Sequence, residues 1–442
     1  MSRFKSFAAC VFPAVFAFAL SGIYAIVDGF FVGRSIGDTG LSAINIAYPV
    51  TALIQAAGTG IGMGGAVMYS VRLAEKRDSE AENFMKGVFF YLALTGILLT
   101  AVLFPLTDPL LSLMGAGGEL MKPGREYLSV IVLGSVFQVF GTGVVPLIRN
   151  QGKAVQAMYC MIGGFAANIF LDYLFVWVFP FGMAGAAWAS VAGQAVTMAG
   201  GLLCMRGQKI PIGIPHQAVS VLFSIWRIGL APFGITMCPM ISLLLMNRAS
   251  LRYGGSEGVA CYACIAYVIT IMYLILQGVG DGSQPLMSRF YGEHNNKEVC
   301  ITRTMAYAAA AVMGVMLAVL LYWIRDGIGV LFGASETVSR TVGADLYIFL
   351  TAVPFLAFLR VTTAGFYATE QTRFSYMIVY GEPVFLALLL PVLPVWMGLK
   401  GVWWSQTGSQ ILTAAMGLGL KLWSDRLHGY TAGKRSSGFF RN

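Results

Sequence analysis

Asp28 and Asp172 are acids set within long apolar runs of this 442-residue sequence, and their surroundings point to cation chemistry. Asn168 precedes Asp172 by four residues, which on a helix places an amide and a carboxylate on one face. Two carboxyl groups in a low-dielectric pocket can hold a proton between them. Ionised oxygens and an amide carbonyl can instead surround sodium, and the residues leave both choices open. A plainer reading is open at each position: Asp28 as an interfacial or helix-end acid, and Asn168 with Asp172 as interhelical hydrogen-bonding groups. In either case Asp172 should face protein or water, because charge in lipid is costly. In the carboxy-terminal half, Asp281, Glu370, Glu382 and Arg360 are the charged residues at or within apolar runs. Glu382 precedes Pro383, which predicts a local helix break, and pairing of Glu382 with Arg360 is the structural alternative there.

The elements that must carry these residues follow from composition. With 57% apolar side chains and 11% charged ones, water is not the main solvent of this chain. Runs of bilayer-spanning length recur from Phe7 to Trp423. Lipid offers backbone groups no partners, so the runs are expected to be helices. Six spans are predicted in the first half, at 7–32, 41–69, 87–107, 125–148, 154–179 and 185–205. Six follow at 219–246, 259–287, 305–325, 343–367, 374–396 and 401–423. The first run lacks a small-residue cleavage site and is read as a retained span. With the amino terminus inside, nineteen Lys and Arg fall in inner segments and eight in outer loops, which places both termini in the cytoplasm. This distribution also answers the +9 formal charge without nucleic acid. Seven scattered cysteines predict no disulfide framework, and the C-x-x-C of Cys261 and Cys264 reads as packing. His216, His294 and His428 lie in separate inner loops, so no metal site is expected beyond sodium at Asp28, Asn168 and Asp172.

The two halves match at a nearly constant offset. Pro13 corresponds to Pro232, Tyr48 to Tyr267, and FGMAGAAWAS (181–190) to MGLKGVWWSQ (397–406), which aligns Gly182 with Gly398 and Gly185 with Gly401. An even number of spans per half makes the repeats parallel. The expected organisation is an amino-terminal six-helix lobe (1–205), a cytoplasmic linker (206–218), a carboxy-terminal six-helix lobe (219–423) and a cytoplasmic tail (424–442). The fold class is therefore all-α and integral to the membrane, with twelve transmembrane helices in two pseudo-symmetric six-helix bundles. Small residues in GTGIGMGGA (58–66), GGFAAN (163–168) and GMAGAAWASVAG (182–193) predict close backbone approach. A phosphate-cradling loop is the weaker reading of the first, since no strand precedes it and no Lys-Ser/Thr follows.

Three stretches carry a family resemblance: VDGFFVGRSIGDTGLSAINIAYPV (27–50), IRNQGKAVQAMYCMIGGFAANIFLDYLFVWVF (148–179) and QGVGDGSQPLMSRFYG (277–292). Together they resemble the multidrug and toxic compound extrusion family through nearly the whole chain. The resemblance implies a V-shaped pair of six-helix lobes that expel cationic, amphipathic compounds against an inward flux of protons or sodium. By position, Asp28, Asn168 and Asp172 match the amino-lobe cation site. Tyr24, one turn before Asp28, and Ser190, where the family more often shows Thr, are its neighbours, and Pro13 matches a first-helix hinge. Gln277, Asp281 and Gln284 in the eighth-span pattern, with Arg360 and Glu382, are the second-lobe candidates. Some members place a Glu in the seventh span, where this chain has apolar or small residues around Cys238 and Pro239, so the ion site is expected in the first lobe.

The expected function is secondary active efflux by exchange of cationic amphipathic compounds for protons or sodium, in a bacterial inner or plasma membrane, by a monomer without a cofactor. The rival reading is a lipid-linked saccharide flippase of related fold, which should carry a more cationic cavity than Arg227 and Arg360 provide. A membrane-embedded enzyme is more remote, since no H-E-x-x-H, G-x-S-x-G or paired acidic metal motif is present, and no enzyme activity is expected. A passive channel is a third reading, which dependence of flux on an imposed gradient would separate.

Overall fold

A computed structural model describes residues 3–206, 213–332 and 334–428. Part of the expected linker (207–212) and most of the expected tail (from 429) lie outside the described residues. The described chain is helical, without strands. In order, the helices are α1 (Arg3–Ser35), α2 (Asp38–Ala74), α3 (Asp78–Leu103), α4 (Thr107–Leu113), α5 (Met121–Leu133), α6 (Ser135–Asn150) and α7 (Ala154–Asp172). A π-helical turn, Tyr173–Val178, extends α7. There follow α8 (Gly182–Cys204), α9 (Ala218–Gly292), α10 (Asn296–Leu331), α11 (Glu336–Leu350), α12 (Val353–Ala368), α13 (Thr372–Leu389), α14 (Leu393–Met397) and α15 (Leu399–His428).

Among the described residues, seven helices are by themselves long and apolar enough to cross a bilayer, and two bent pairs qualify jointly. One of the seven, α9, is two spans: Gly255, at φ +59°, interrupts its helical backbone between the expected seventh and eighth. With α13 and α15 the total is twelve. The last of these fails a purely apolar test for a physical reason. Its Ser405, Gln406, Thr407, Ser409, Gln410 and Thr413 are buried in protein, so its polar stripe never meets lipid.

Several spans depart from the straight rods read from hydropathy. The expected fourth span, 125–148, is α5 and α6 meeting at 57°. The break falls at Gly134, where a Cβ would collide with the Val191 side chain of α8. The expected tenth span, 343–367, is α11 and α12 bent by 48°, with Pro354 in the first turn of α12. The expected eleventh span, 374–396, is α13 followed by α14, because Pro391 and Pro394 cannot continue the helix. Conversely, α13 runs through Pro383 without the predicted break. A proline removes one backbone bond, and the helix tolerates the loss at Pro383, which is itself buried against its neighbours. The third span begins nine residues before its expected 87, since Asp78 and Glu80 favour a helix amino terminus in the polar layer.

Residues Ala9–Met240 form one compact unit, and the described residues of 1–8 and 241–442 form another. In the first unit, the glycines of 58–66 bring backbones together. A Cβ on Gly62 would overlap the Gly143 backbone of α6, and one on Gly64 would overlap the Ile225 carbonyl of α9. No strand precedes this segment, so the phosphate-loop reading is excluded. In the second unit, Arg303, Asp425 and Lys421 form a buried ion-pair cluster at 2.6 and 2.8 Å.

Candidate cation site

The first unit brings α1, α5, α7 and α8 together around Asp28 and Asp172. Tight packing of α7 against α8 sets the geometry. A Cβ on Gly164 would collide with the Thr197 hydroxyl, and one on Gly193 would lie 2.9 Å from the Asn168 Cβ. That approach carries Asn168 to Ser190, with the amide Nδ2 donating to Oγ at 3.4 Å. Tyr24 is braced on α7 by its ring, stacked on Phe165 with centroids 5.1 Å apart. The outer end of α1 is tied to the π-helical turn by the Ser35 hydroxyl, which donates to the Val176 carbonyl at 2.9 Å. Asp172 is the last residue of α7 before that turn, a feature frequent at functional sites.

The carboxyl groups of Asp28 and Asp172 face each other within hydrogen-bonding range. Asp172 is fully buried, and neither of its oxygens meets a donor. Oδ1 of Asp28 and Oδ1 of Asn168 are likewise secluded without a donor. Each unsatisfied acceptor of this kind costs about 1–3 kcal/mol, and more when charged. Two facing carboxyl groups with secluded oxygens that meet no hydrogen-bond donor are suited to a cation. The Ser190 hydroxyl lies near the Tyr24 and Tyr127 hydroxyls, and both phenols sit beside the two acids.

Tyr127, buried on α5, has no counterpart among the residues read from sequence. Its one available signal was a hydroxyl-bearing aromatic near the polar start of the fourth span, next to Arg125 and Glu126. Pro13 is buried within a continuous α1, well below Tyr24 and Asp28.

The second-unit candidates have different surroundings. Asp281 accepts from Gln277 Nε2 at 2.6 Å and from the Tyr367 hydroxyl at 2.9 Å. Gln284 donates to the Ser288 hydroxyl at 2.8 Å, and that hydroxyl donates to the Ala368 carbonyl at 3.0 Å. Glu382 accepts from Gln410 Nε2 at 3.0 Å. Its sequence-based pairing with Arg360 does not form: the guanidinium lies instead over the Tyr273 ring, 5.6 Å from the centroid. The Gln410 amide takes the place of the arginine as donor to Glu382. Among the described residues, no three His, Cys, Asp or Glu side chains group as a metal site.

Twelve spans in two bundles, with polar side chains buried between the helices of each, define a polytopic membrane protein of transporter architecture. The MatE family model matches residues 13–174 and 218–390. The chain belongs to that family, whose members are transporters and not enzymes. Among curated relatives, the multidrug export protein MepA of Staphylococcus haemolyticus (strain JCSC1435) is 23% identical over 412 residues, covering 91% of this chain and 90% of MepA. MepA of Staphylococcus aureus (strain MRSA252) is 23% identical over 416 residues, covering 93% and 92%. Among solved structures, an outward-facing multidrug resistance MATE family transporter of the MOP superfamily superposes with a TM-score of 0.89. It shares 22% identity and covers 97% of this chain and 96% of its own. A MATE structure in the bent conformation gives 0.88 at 21% identity, covering 98% of each chain.

Proposed function

We propose that the protein is a secondary active multidrug exporter that exchanges cationic, amphipathic compounds for protons or sodium ions. The coupling cation binds at Asp28, Asn168 and Asp172, with Tyr24, Tyr127 and Ser190 around it. One observation carries this reading: two facing, secluded carboxyl groups have oxygens that no donor satisfies. A cation supplies the missing positive charge, and a cationic substrate competes for the same charge. Coupling requires that the ion bind two conformations unequally. Pro13 lacks the N–H that would bond the Ala9 carbonyl, so α1 is weakest there, and bending at that point shifts Tyr24 and Asp28 relative to Asp172. The name of the MepA relatives, multidrug export protein, supports the direction of transport and a range of drug substrates. The bias of Lys and Arg supports a cell-membrane protein with both termini in the cytoplasm. The site lies within one chain, which supports a functional monomer.

The test is efflux of a cationic dye from proteoliposomes in which a pH gradient and a sodium gradient are imposed separately. One gradient is expected to drive efflux, and Asp28→Asn and Asp172→Asn are each expected to abolish it without lowering the amount of protein in the membrane. Full transport by both variants would remove the mechanism.

A further inference from the structure

The second unit holds a charge that its acids do not answer. Arg360, on α12, is half-buried in the bundle, and its secluded Nε has no hydrogen-bond partner. Among the described residues its guanidinium makes no hydrogen bond or ion pair; its contact is with the Tyr273 ring face. Intramembrane arginines ordinarily pair, and one that does not is a candidate for binding. The backbone beneath it is firmly placed: a Cβ on Gly280 of α9 would lie 3.0 Å from the Arg360 carbonyl, so the two helices touch.

Around Arg360 the polar groups are arranged to keep Glu382 from neutralising it. The Gln410 amide donates both to Glu382 and to the Tyr273 hydroxyl, holding the carboxylate on the α15 side. Gln406, one turn earlier on α15, is 6% exposed, stands beside Tyr273 and has an Oε1 without a partner. The unit therefore contains a planar five-donor fork with its donors unspent, a phenol and two amides. A guanidinium fork matches a carboxylate in a bidentate geometry.

We propose that Arg360 anchors a subsite for organic carboxylates, so that the protein also takes acidic compounds alongside cationic ones. Gln410 is a positioning residue that restrains Glu382 and leaves the fork open. The subsite stands independently of the acid pair in the first unit and is read by binding without any gradient.

The test is equilibrium binding of radiolabelled salicylate to the full-length protein in phosphatidylcholine nanodiscs, with salicylamide as the neutral isostere. The wild type is expected to prefer the acid by about tenfold or more. Arg360→Gln should erase that preference and leave salicylamide unchanged, whereas Arg360→Lys keeps part of it. Glu382→Gln removes the competing negative charge and should tighten salicylate binding. It gives an answer even where the arginine variant fails to fold. Equal binding of acid and amide by the wild type, or weaker acid binding in Glu382→Gln, would overturn the proposal. So would loss of salicylate binding on adding phosphatidylglycerol, which would assign the fork to a lipid phosphate.

Discussion

The site candidates of the two units hold their carboxylates in different ways. In the second, Asp281 has Gln277 and Tyr367 as donors, Glu382 has Gln410, and Asp425 has Arg303 and Lys421. Asp345 accepts from Trp403 Nε1 at 3.3 Å, with Lys400 at 3.7 Å. In the first, Asp172 and the inner oxygen of Asp28 have no donor. A carboxylate surrounded by donors is part of the scaffold, whereas a facing pair without donors needs a proton or a cation from outside the chain. Charge alone does not separate the two kinds of acid in such a bundle; the presence or absence of a donor does.

The sharpest way to break this contrast is to neutralise one acid of each kind. Asp172→Asn is expected to reduce gradient-driven dye efflux by about a hundredfold or more, as loss of an essential charged group typically does. Glu382→Gln should leave ion-driven efflux of a cationic dye running, so equal losses in both variants would erase the distinction. Asp425→Asn should act on stability instead. It removes the carboxylate that answers the buried Arg303 and Lys421, a loss of about 3–5 kcal/mol, visible as a lower unfolding temperature in detergent. Next in size is the stabilisation of the wild type by its coupling ion. A hundredfold excess over Kd contributes about 2.7 kcal/mol, so the unfolding temperature should rise with that ion and fail to rise in Asp172→Asn. Ser190→Thr keeps the hydroxyl and adds one methyl group, and efflux is expected to stay within about twofold of wild type, a change of under 0.5 kcal/mol.

Much of the architecture could be read from residues, because lipid enforces it. Spans follow from apolar length. The repeat was visible in glycines whose backbone is also shared: Gly182 and Gly398, aligned by sequence, have φ of +62° and +59°. Their neighbours Gly185 and Gly401 each press on the carbonyl of a preceding segment, at Phe175 and Leu393. The approach of Asn168 to Ser190 was foreshadowed by small residues in both helices. Bends were less legible. The fourth span bends at Gly134, where Val191 leaves no room for a side chain, which is a tertiary fact. Pro383 looked like a break and is not one, while Pro391 and Pro394 ended the helix. Tyr127 was missed because a lone tyrosine beside Arg125 and Glu126 reads as a residue of the span end. Arg360 and Glu382 looked like partners because only charge is visible in sequence; the amide of Gln410 that displaces the arginine is not.

The polar stripe of α15 also bears on how the chain is made. A nascent segment with Ser405, Gln406, Thr407, Ser409, Gln410 and Thr413 partitions poorly from the translocon into hydrocarbon by itself. Its hydroxyls and amides become acceptable only against helices already waiting beside it, such as α11, where the Ile348 carbonyl accepts from Thr407 at 2.9 Å. The final span thus enters the bilayer as a guest of its predecessors, and a reporter fused after it should reach its proper side only when those earlier helices are synthesised with it.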